Sequence, residues 1–208
     1  MEKAEITDIF GSESASSAQQ QGGFRFFSGN LLALPVRSDA RPYYMATTPG
    51  LIQSFIHTIN QFGIEMSHGD LDSIKDLTSE KGHPLIGDDT PVHIEDLLGK
   101  PSPALKGLET LIGPNPALFH DEDFKDIASC LPVIARNNLE NGESKNLWYE
   151  EIVPHQARFF CIIGNGTHHA GEFEKVLKQD IIQIGANASI GYGFTKITKF
   201  NGQGGFDE

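Results

Sequence analysis

Thr48-Pro49-Gly50 opens a run in which Leu51, Ile52, Phe55, Ile56, Ile59 and Phe62 recur at helical spacing. A stripe of that period demands a helix with one buried face. Thr48 is placed to cap it and Pro49 suits the first helical position, where no N–H is needed. Gly63 is placed to end it. Ahead of the helix, Gly23 to Asn30 alternates and is rich in Phe, and Leu31 to Arg37 continues as an apolar run. Both read as strand. Pro35 inside the run implies a strand edge or a bulge, because it cannot donate to a ladder. A buried strand followed by an amphipathic helix commits the chain to a layered α and β architecture.

The remaining segments extend that pattern. Residues up to Phe10-Gly11-Ser12 read as a short helix or turn, and Ser12 to Gln21 as a mobile loop. Asp121-Glu122-Asp123-Phe124 opens a second helix with acids at its positive end. Leu131 to Asn138 and Asn146 to Val153 read as two strands joined at Asn141-Gly142, a hairpin turn signal. Arg158 to Gly164 reads as one strand and Gly171 to Lys178 as a helix. Asp180 to Gly185 and Phe194 to Phe200 read as strands around a glycine-rich loop. This order predicts an α+β fold of ferredoxin-like type, with antiparallel strands covered by helices. A complete unit of that type begins with a strand and a helix, whereas this chain begins with a polar segment. A first strand and helix are therefore expected to be missing. The expected division is a core first part at 1–65, an acidic insertion at 66–119, and a core second part at 120–200. The last carries the hairpin and the glycine loop, and 201–208 form a frayed polar tail.

Composition narrows the function classes. No apolar run approaches the ~18 residues of a membrane span, and no signal-peptide pattern opens the chain. Two cysteines, Cys130 and Cys161, make no disulfide framework, which fits a reducing cytoplasm; both are expected in the core. The net charge of -12 argues against indiscriminate nucleic-acid binding. That charge is unevenly spread. The stretch from Met66 to Phe119 holds nine acids against four lysines, so the rest is closer to balance.

The segment that speaks most directly to chemistry is Gly185-Ala186-Asn187-Ala188-Ser189-Ile190-Gly191-Tyr192-Gly193. Glycines let backbone approach a phosphate, and successive N–H groups can form an anion-binding concavity. Ser189 and Asn187 add donors, and Tyr192 can stack on a base. The spacing of Gly185, Gly191 and Gly193 is not that of a dinucleotide fingerprint, and a strand follows instead of a helix. A plain connection between strands is the competing reading. Arg37, at a strand end, either clamps a phosphate or pairs locally with Asp39. Lys145 lies on the hairpin with Trp148, the chain's one Trp, which either wedges against a base or packs in the core. His168-His169 read as a polar turn, since no partner has ligand spacing. In His120-Asp121-Glu122-Asp123, helix capping by Asp121 is preferred to a cation site. Glu150 and Glu151 are adjacent and face opposite sides of a strand, so they make a poor acid–base pair. An enzyme built on His155, Glu150 and Glu151 finds no convergent triad.

Taken together, several motifs resemble the RAMP superfamily, and more narrowly the repeated backbone subunit of type III-B CRISPR effector complexes. They are Phe10-Gly11-Ser12-Glu13, Phe24-Arg25-Phe26, Leu34-Pro35-Val36-Arg37-Ser38 and Ala46-Thr47-Thr48-Pro49. Further along come Asp121-Glu122-Asp123-Phe124, Ile134-Ala135-Arg136, Leu147-Trp148-Tyr149-Glu150-Glu151 and the closing glycine loop. The order matches throughout, most weakly in residues 66–119. The resemblance implies a ferredoxin-type core that polymerises along a guide RNA. It implies RNA contact by Gly185, Asn187, Ser189, Gly191, Tyr192 and Gly193. The hairpin from Arg136 to Glu150 is similar to the family's thumb, and the resemblance makes Arg136, Lys145, Trp148 and, elsewhere in the chain, Arg37 RNA-facing. The implied partners are guide RNA, target RNA, further copies of the chain and other effector subunits, with no membrane and no cofactor. The family subunit also cuts target RNA with an aspartate in an early loop. Nothing in Met1 to Ile9 matches that motif, and Asp8 stands without it, so no catalytic or metal-binding residue is assigned. The competing expectation is a structural adaptor that meets other protein subunits through the acidic insertion.

Overall fold

The structure is a computed structural model that describes residues 2–12, 19–64, 75–164, 166, 168–179 and 181–200. The expected tail, most of the expected mobile loop and the start of the acidic stretch lie outside these residues. In chain order the elements are α1 (Lys3–Phe10), β1 (Arg25–Phe26), β2 (Asn30–Val36), β3 (Tyr44–Thr47) and α2 (Pro49–Gln61). Then come β4 (Leu85–Ile86), β5 (Val92–Ile94), β6 (Leu97–Pro101), a 3-10 turn at Pro103–Leu108, α3 (Glu109–Ile112), β7 (Pro116–Leu118) and α4 (Asp121–Ala128). The last part holds β8 (Val133–Glu140), β9 (Glu143–Glu151), β10 (Arg158–Phe160), β11 (Ile163–Gly164), α5 (Ala170–Leu177), β12 (Ile182–Gln183), a 3-10 turn at Ala188–Ile190 and β13 (Phe194–Thr195). The fold is α+β, as expected. No helix among the described residues is long and apolar enough to cross a membrane.

The chain forms two compact units, and the larger runs from Asn30 to Phe160. Its sheet has the order β10-β2-β3-β7-β4-β6-β5. β2 and β3 are antiparallel, β3 and β7 parallel, and β4 antiparallel to β7 but parallel to β6. β4 to β7 all come from the stretch with the acidic excess. β3 and β7 are buried at every position, and the one hydroxyl among them that has no aromatic ring, Thr47, donates to the Leu32 carbonyl at 2.8 Å. Leu34, Val36, Tyr44, Ala46, Ile86, Ile94, Ala117, Phe119 and Phe124 form the core on one side. Pro35 pairs with Met45 and lies past Ala33, the last β2 position that β10 reaches. β2 therefore has no ladder on that side where Pro35 has no N–H to give, as the edge expectation required.

α2 forms as its sequence dictates. The Thr48 hydroxyl accepts from the Leu51 N–H at 3.1 Å, and Ile52, Phe55 and Ile59 are buried. Its end is a Schellman motif: Gly63, at φ 65°, donates to the Asn60 carbonyl at 3.0 Å and Ile64 donates to Ile59 at 2.9 Å. The start of α4 corrects one expectation. The cap is His120, whose Nδ1 accepts from Glu122 N–H at 3.3 Å, and not Asp121. Asp121 instead accepts from Gly50 N–H at the first turn of α2 (3.2 Å), Glu122 pairs with Lys81 (2.5 Å) and Asp123 accepts from Gly82 N–H (2.6 Å). The acidic triplet thus stitches the unit together with three separate partners.

The smaller unit joins residues up to Gly29 with those from Cys161 to Asn201. β1 pairs with β11, and Ile9, Phe24 and Phe173 form its core, with α1 and α5 supplying two of the three. The segment expected as one strand from Arg158 to Gly164 is therefore two, β10 in the large sheet and β11 on β1. Cys161 lies at that break and is exposed, as is Cys130 just past the end of α4. Neither is the core residue that its apolar neighbours implied.

Candidate nucleic-acid interface

The hairpin β8–β9 is the longest antiparallel pair, and nearly all of it is exposed. Asn141 at φ 53° and Gly142 at φ 82° make the two-residue turn, the backbone that an Asn-Gly pair favours between twisted strands. Arg136 stands opposite Trp148 in the register. Glu150, two residues beyond Trp148, shares their face because side chains alternate along a strand. Its carboxylate accepts from Arg136 Nε at 2.9 Å and from Trp148 Nε1 at 2.8 Å. The indole bond and then the guanidinium hold the Glu150 carboxyl below its ordinary range. Trp148 is 39% exposed, so the core alternative for it is ruled out. On the opposite face Val133, Leu139, Leu147 and Tyr149 are exposed.

Arg37 extends from the end of β2 and is held by Glu95, not by Asp39. Glu95 accepts from Arg37 N–H (2.7 Å), Nε (3.0 Å) and Nη2 (2.6 Å). Glu95 occupies the turn between β5 and β6 at φ 49°, and its own N–H donates to the Arg37 carbonyl at 2.9 Å. The bidentate pair raises the Arg37 pKa, chiefly through the hydrogen bond to Glu95. Lys145 pairs with Glu143, two positions back on the same strand, at 3.2 Å. Each basic residue singled out from the sequence thus carries a glutamate. For Lys145 and Trp148 the period-2 spacing to Glu143 and Glu150 was readable beforehand. For Arg37 it was not, since Glu95 lies 58 residues away.

The glycine loop joins β12 to β13, which pair antiparallel. It is a compact turn. Ile190 and Tyr192 donate to the Asn187 carbonyl at 3.1 and 3.3 Å, and Gly191 donates to Ala188 at 3.0 Å. Those three N–H groups point inward, so the concavity expected from successive N–H groups is restricted to the rest of the loop. Gly185, Gly191 and Gly193 all have positive φ, as does Asn187. They differ in surroundings. A Cβ at Gly185 or Gly191 would meet nothing within 4 Å, whereas one at Gly193 would run into the Ile184 carbonyl oxygen. Gly193 therefore has no room for a side chain, whereas Gly185 and Gly191 stand in open space. Asn187 and Ser189 are exposed and Tyr192 is half-buried.

Three acids of the acidic stretch carry a basic partner. Asp88 pairs with Arg41 at 2.5 Å and accepts from the Tyr44 hydroxyl, Glu95 holds Arg37, and Glu80 lies 3.8 Å from Lys100. Asp8 is likewise engaged, accepting from Gln20 Nε2 at 2.7 Å and lying 3.1 Å from His169 Nε2. Among the described residues, no group of three or more His, Cys, Asp or Glu side chains could hold a metal ion.

Comparison with known proteins gives one consistent result. The family model of the RAMP superfamily matches residues 2–196. A curated relative from Pyrococcus furiosus, the CRISPR system Cmr endoribonuclease Cmr4, is 25% identical over 225 aligned positions, covering 95% of this chain and 76% of the relative. The crystal structure of oligomeric Cmr4 from the same organism superposes with a TM-score of 0.65 at 19% identity, covering 93% of this chain and 76% of that one. A chain of the type III-B Cmr-beta complex bound to cognate target RNA gives 0.69 at 18% identity, over 92% and 74%. The fold is shared with both, and a family match across nearly the whole length settles the wider kinship: the chain belongs to the RAMP superfamily.

Proposed function

We propose that this chain is a guide-RNA-binding backbone subunit of a type III-B CRISPR RNA-targeting complex, working in the cytoplasm in antiviral defence. The observation that carries the proposal is the match to a Cmr endoribonuclease over 95% of the chain. The site geometry is consistent with it. A protruding hairpin presents Trp148 and Arg136 on one face, and a glycine turn presents the exposed residues Gly185, Asn187, Ser189 and Gly191. Its chemistry is positioning: phosphate contacts fix the RNA and stacking orders the bases. The proposed contacts are Gly185, Asn187, Ser189, Gly191, Tyr192 and Gly193 in the loop, and Arg37, Arg136, Lys145 and Trp148 elsewhere. Further copies of the chain, other effector subunits and target RNA are the proposed partners. No residue of this chain is proposed for cleavage.

The test is binding of fluorescein-labelled single-stranded RNA, read by anisotropy across a salt series. Affinity should fall as salt rises. Gly191→Val should weaken binding at least tenfold. Salt-independent association, or RNA binding unchanged by Gly191→Val, contradicts the reading.

A further inference from the structure

The chain has five arginines, and the structure divides them. Arg37, Arg41 and Arg136 each pair with a carboxylate. Arg158, on β10, is half-buried, and among the described residues no carboxylate pairs with it. Its Nη1 donates to the Leu111 carbonyl at the end of α3, at a long 3.3 Å. One neutral carbonyl does little to offset a guanidinium partly withdrawn from water. Burial accordingly lowers the Arg158 pKa, and Tyr43 is the one ionisable neighbour that opposes the shift. The position is built for the side chain. Gly113, at φ 98°, faces it, and a Cβ there would lie 2.6 Å from Nη2 and 2.9 Å from Cζ. A side chain at Gly113 would displace the guanidinium from this seat.

We propose that Arg158, seated against Gly113 beside Tyr43, is a contact for a phosphodiester of bound RNA, a site additional to the hairpin and the glycine loop. The inference rests on the RNA-binding reading above. A planar guanidinium matches the two oxygens of a phosphate, and a half-buried one offers them a stronger field than an exposed one. Continuity of the chain favours RNA over an acidic protein segment. Arg158 follows β9 by seven residues, and the intervening turn is anchored by Ile152 N–H to the Pro132 carbonyl (2.9 Å) and Ala157 N–H to the Pro154 carbonyl (3.2 Å). Arg158 thus follows the hairpin in the chain after a short anchored turn and pairs with Ala33 in the large sheet.

The experiment is the salt dependence of binding of a labelled single-stranded RNA to the full chain and to Arg158→Gln and Arg158→Lys. Loss of one phosphate contact lowers the slope of log K against log salt by about 0.7. Arg158→Gln should show that drop with a several-fold loss of affinity, and Arg158→Lys should keep the wild-type slope. Thermal unfolding of the same variants identifies a merely structural role. A lower midpoint with an unchanged salt slope means that Arg158 only caps α3, which overturns the proposal. Loss of association with another protein subunit, with the RNA slope unchanged, overturns it in favour of an acidic protein partner. If wild type binds RNA and Arg158→Gln binds it identically, this contact alone is refuted. If wild type binds none, the functional reading falls and the contact with it.

Discussion

Arg136 and Glu150 stand diagonally across the exposed hairpin with Nε 2.9 Å from Oε2, and the Trp148 indole donates to the same carboxylate at 2.8 Å. One acid therefore orients both groups proposed to face RNA. The Glu150 pKa is lowered, so its stabilising effect is complete above the ordinary glutamate value of 4.5. It is lost as pH falls through the depressed value. Trp148 is the chain's one tryptophan, so intrinsic fluorescence reports this alone. Emission should shift with a midpoint below pH 4.5 in wild type, and that step should vanish in Glu150→Gln. A step retained in Glu150→Gln would show that the indole does not sense this carboxylate.

Arg37 is held by a carboxylate that competes with any phosphate. Glu95→Gln should keep the shape of the turn while freeing the guanidinium, and RNA affinity should rise a few-fold at low salt. Arg37→Gln should weaken binding. If both variants bind as wild type does, Arg37 belongs to the β2–β5 connection alone, and anisotropy titrations decide this directly.

Gly193 and Gly191 separate stability from function within one loop. Placing a Cβ on a left-handed residue costs roughly 1–2 kcal/mol. Gly193→Ala adds a collision with the Ile184 carbonyl, so it should lower the unfolding midpoint more than Gly191→Ala does. Gly191→Ala, with open space around it, should act mainly on RNA binding. Equal destabilisation by the two would mean that surroundings at Gly193 add nothing to the φ cost.

Thr48 caps α2 and is almost wholly buried. Thr48→Ala should cost about 1 kcal/mol in denaturant unfolding, and Thr48→Ser much less, since the hydroxyl is what the Leu51 N–H requires. An equal loss in both variants would assign the effect to the methyl group and its packing.

Local chemistry was legible in the sequence and long-range pairing was not. The cap, stripe and stop of α2 lie within sixteen residues and were readable, as was the Asn141-Gly142 turn with its two strands. The α+β class followed from the order of such segments. Arg37–Glu95 and Asp121–Gly50 join residues 58 and 71 positions apart, and no local pattern announces them. Cys130 and Cys161 are exposed despite their apolar sequence neighbours, because each follows the end of an element, α4 and β10 respectively. At Cys161 the strand ends and the chain passes between units. The candidate residues divide similarly: Glu143 and Glu150 stand two positions from Lys145 and Trp148 on one strand, whereas Glu95 reaches Arg37 only through the fold.

A backbone subunit of the proposed kind lines up in several copies on one RNA. Native mass spectrometry of the chain with single-stranded RNAs of increasing length tests it most directly. The number of bound copies should rise by one for each fixed increment of length, with free protein remaining monomeric at the same concentration or forming RNA-independent assemblies of a different size. A single copy bound whatever the length, or no RNA bound at all, would contradict it.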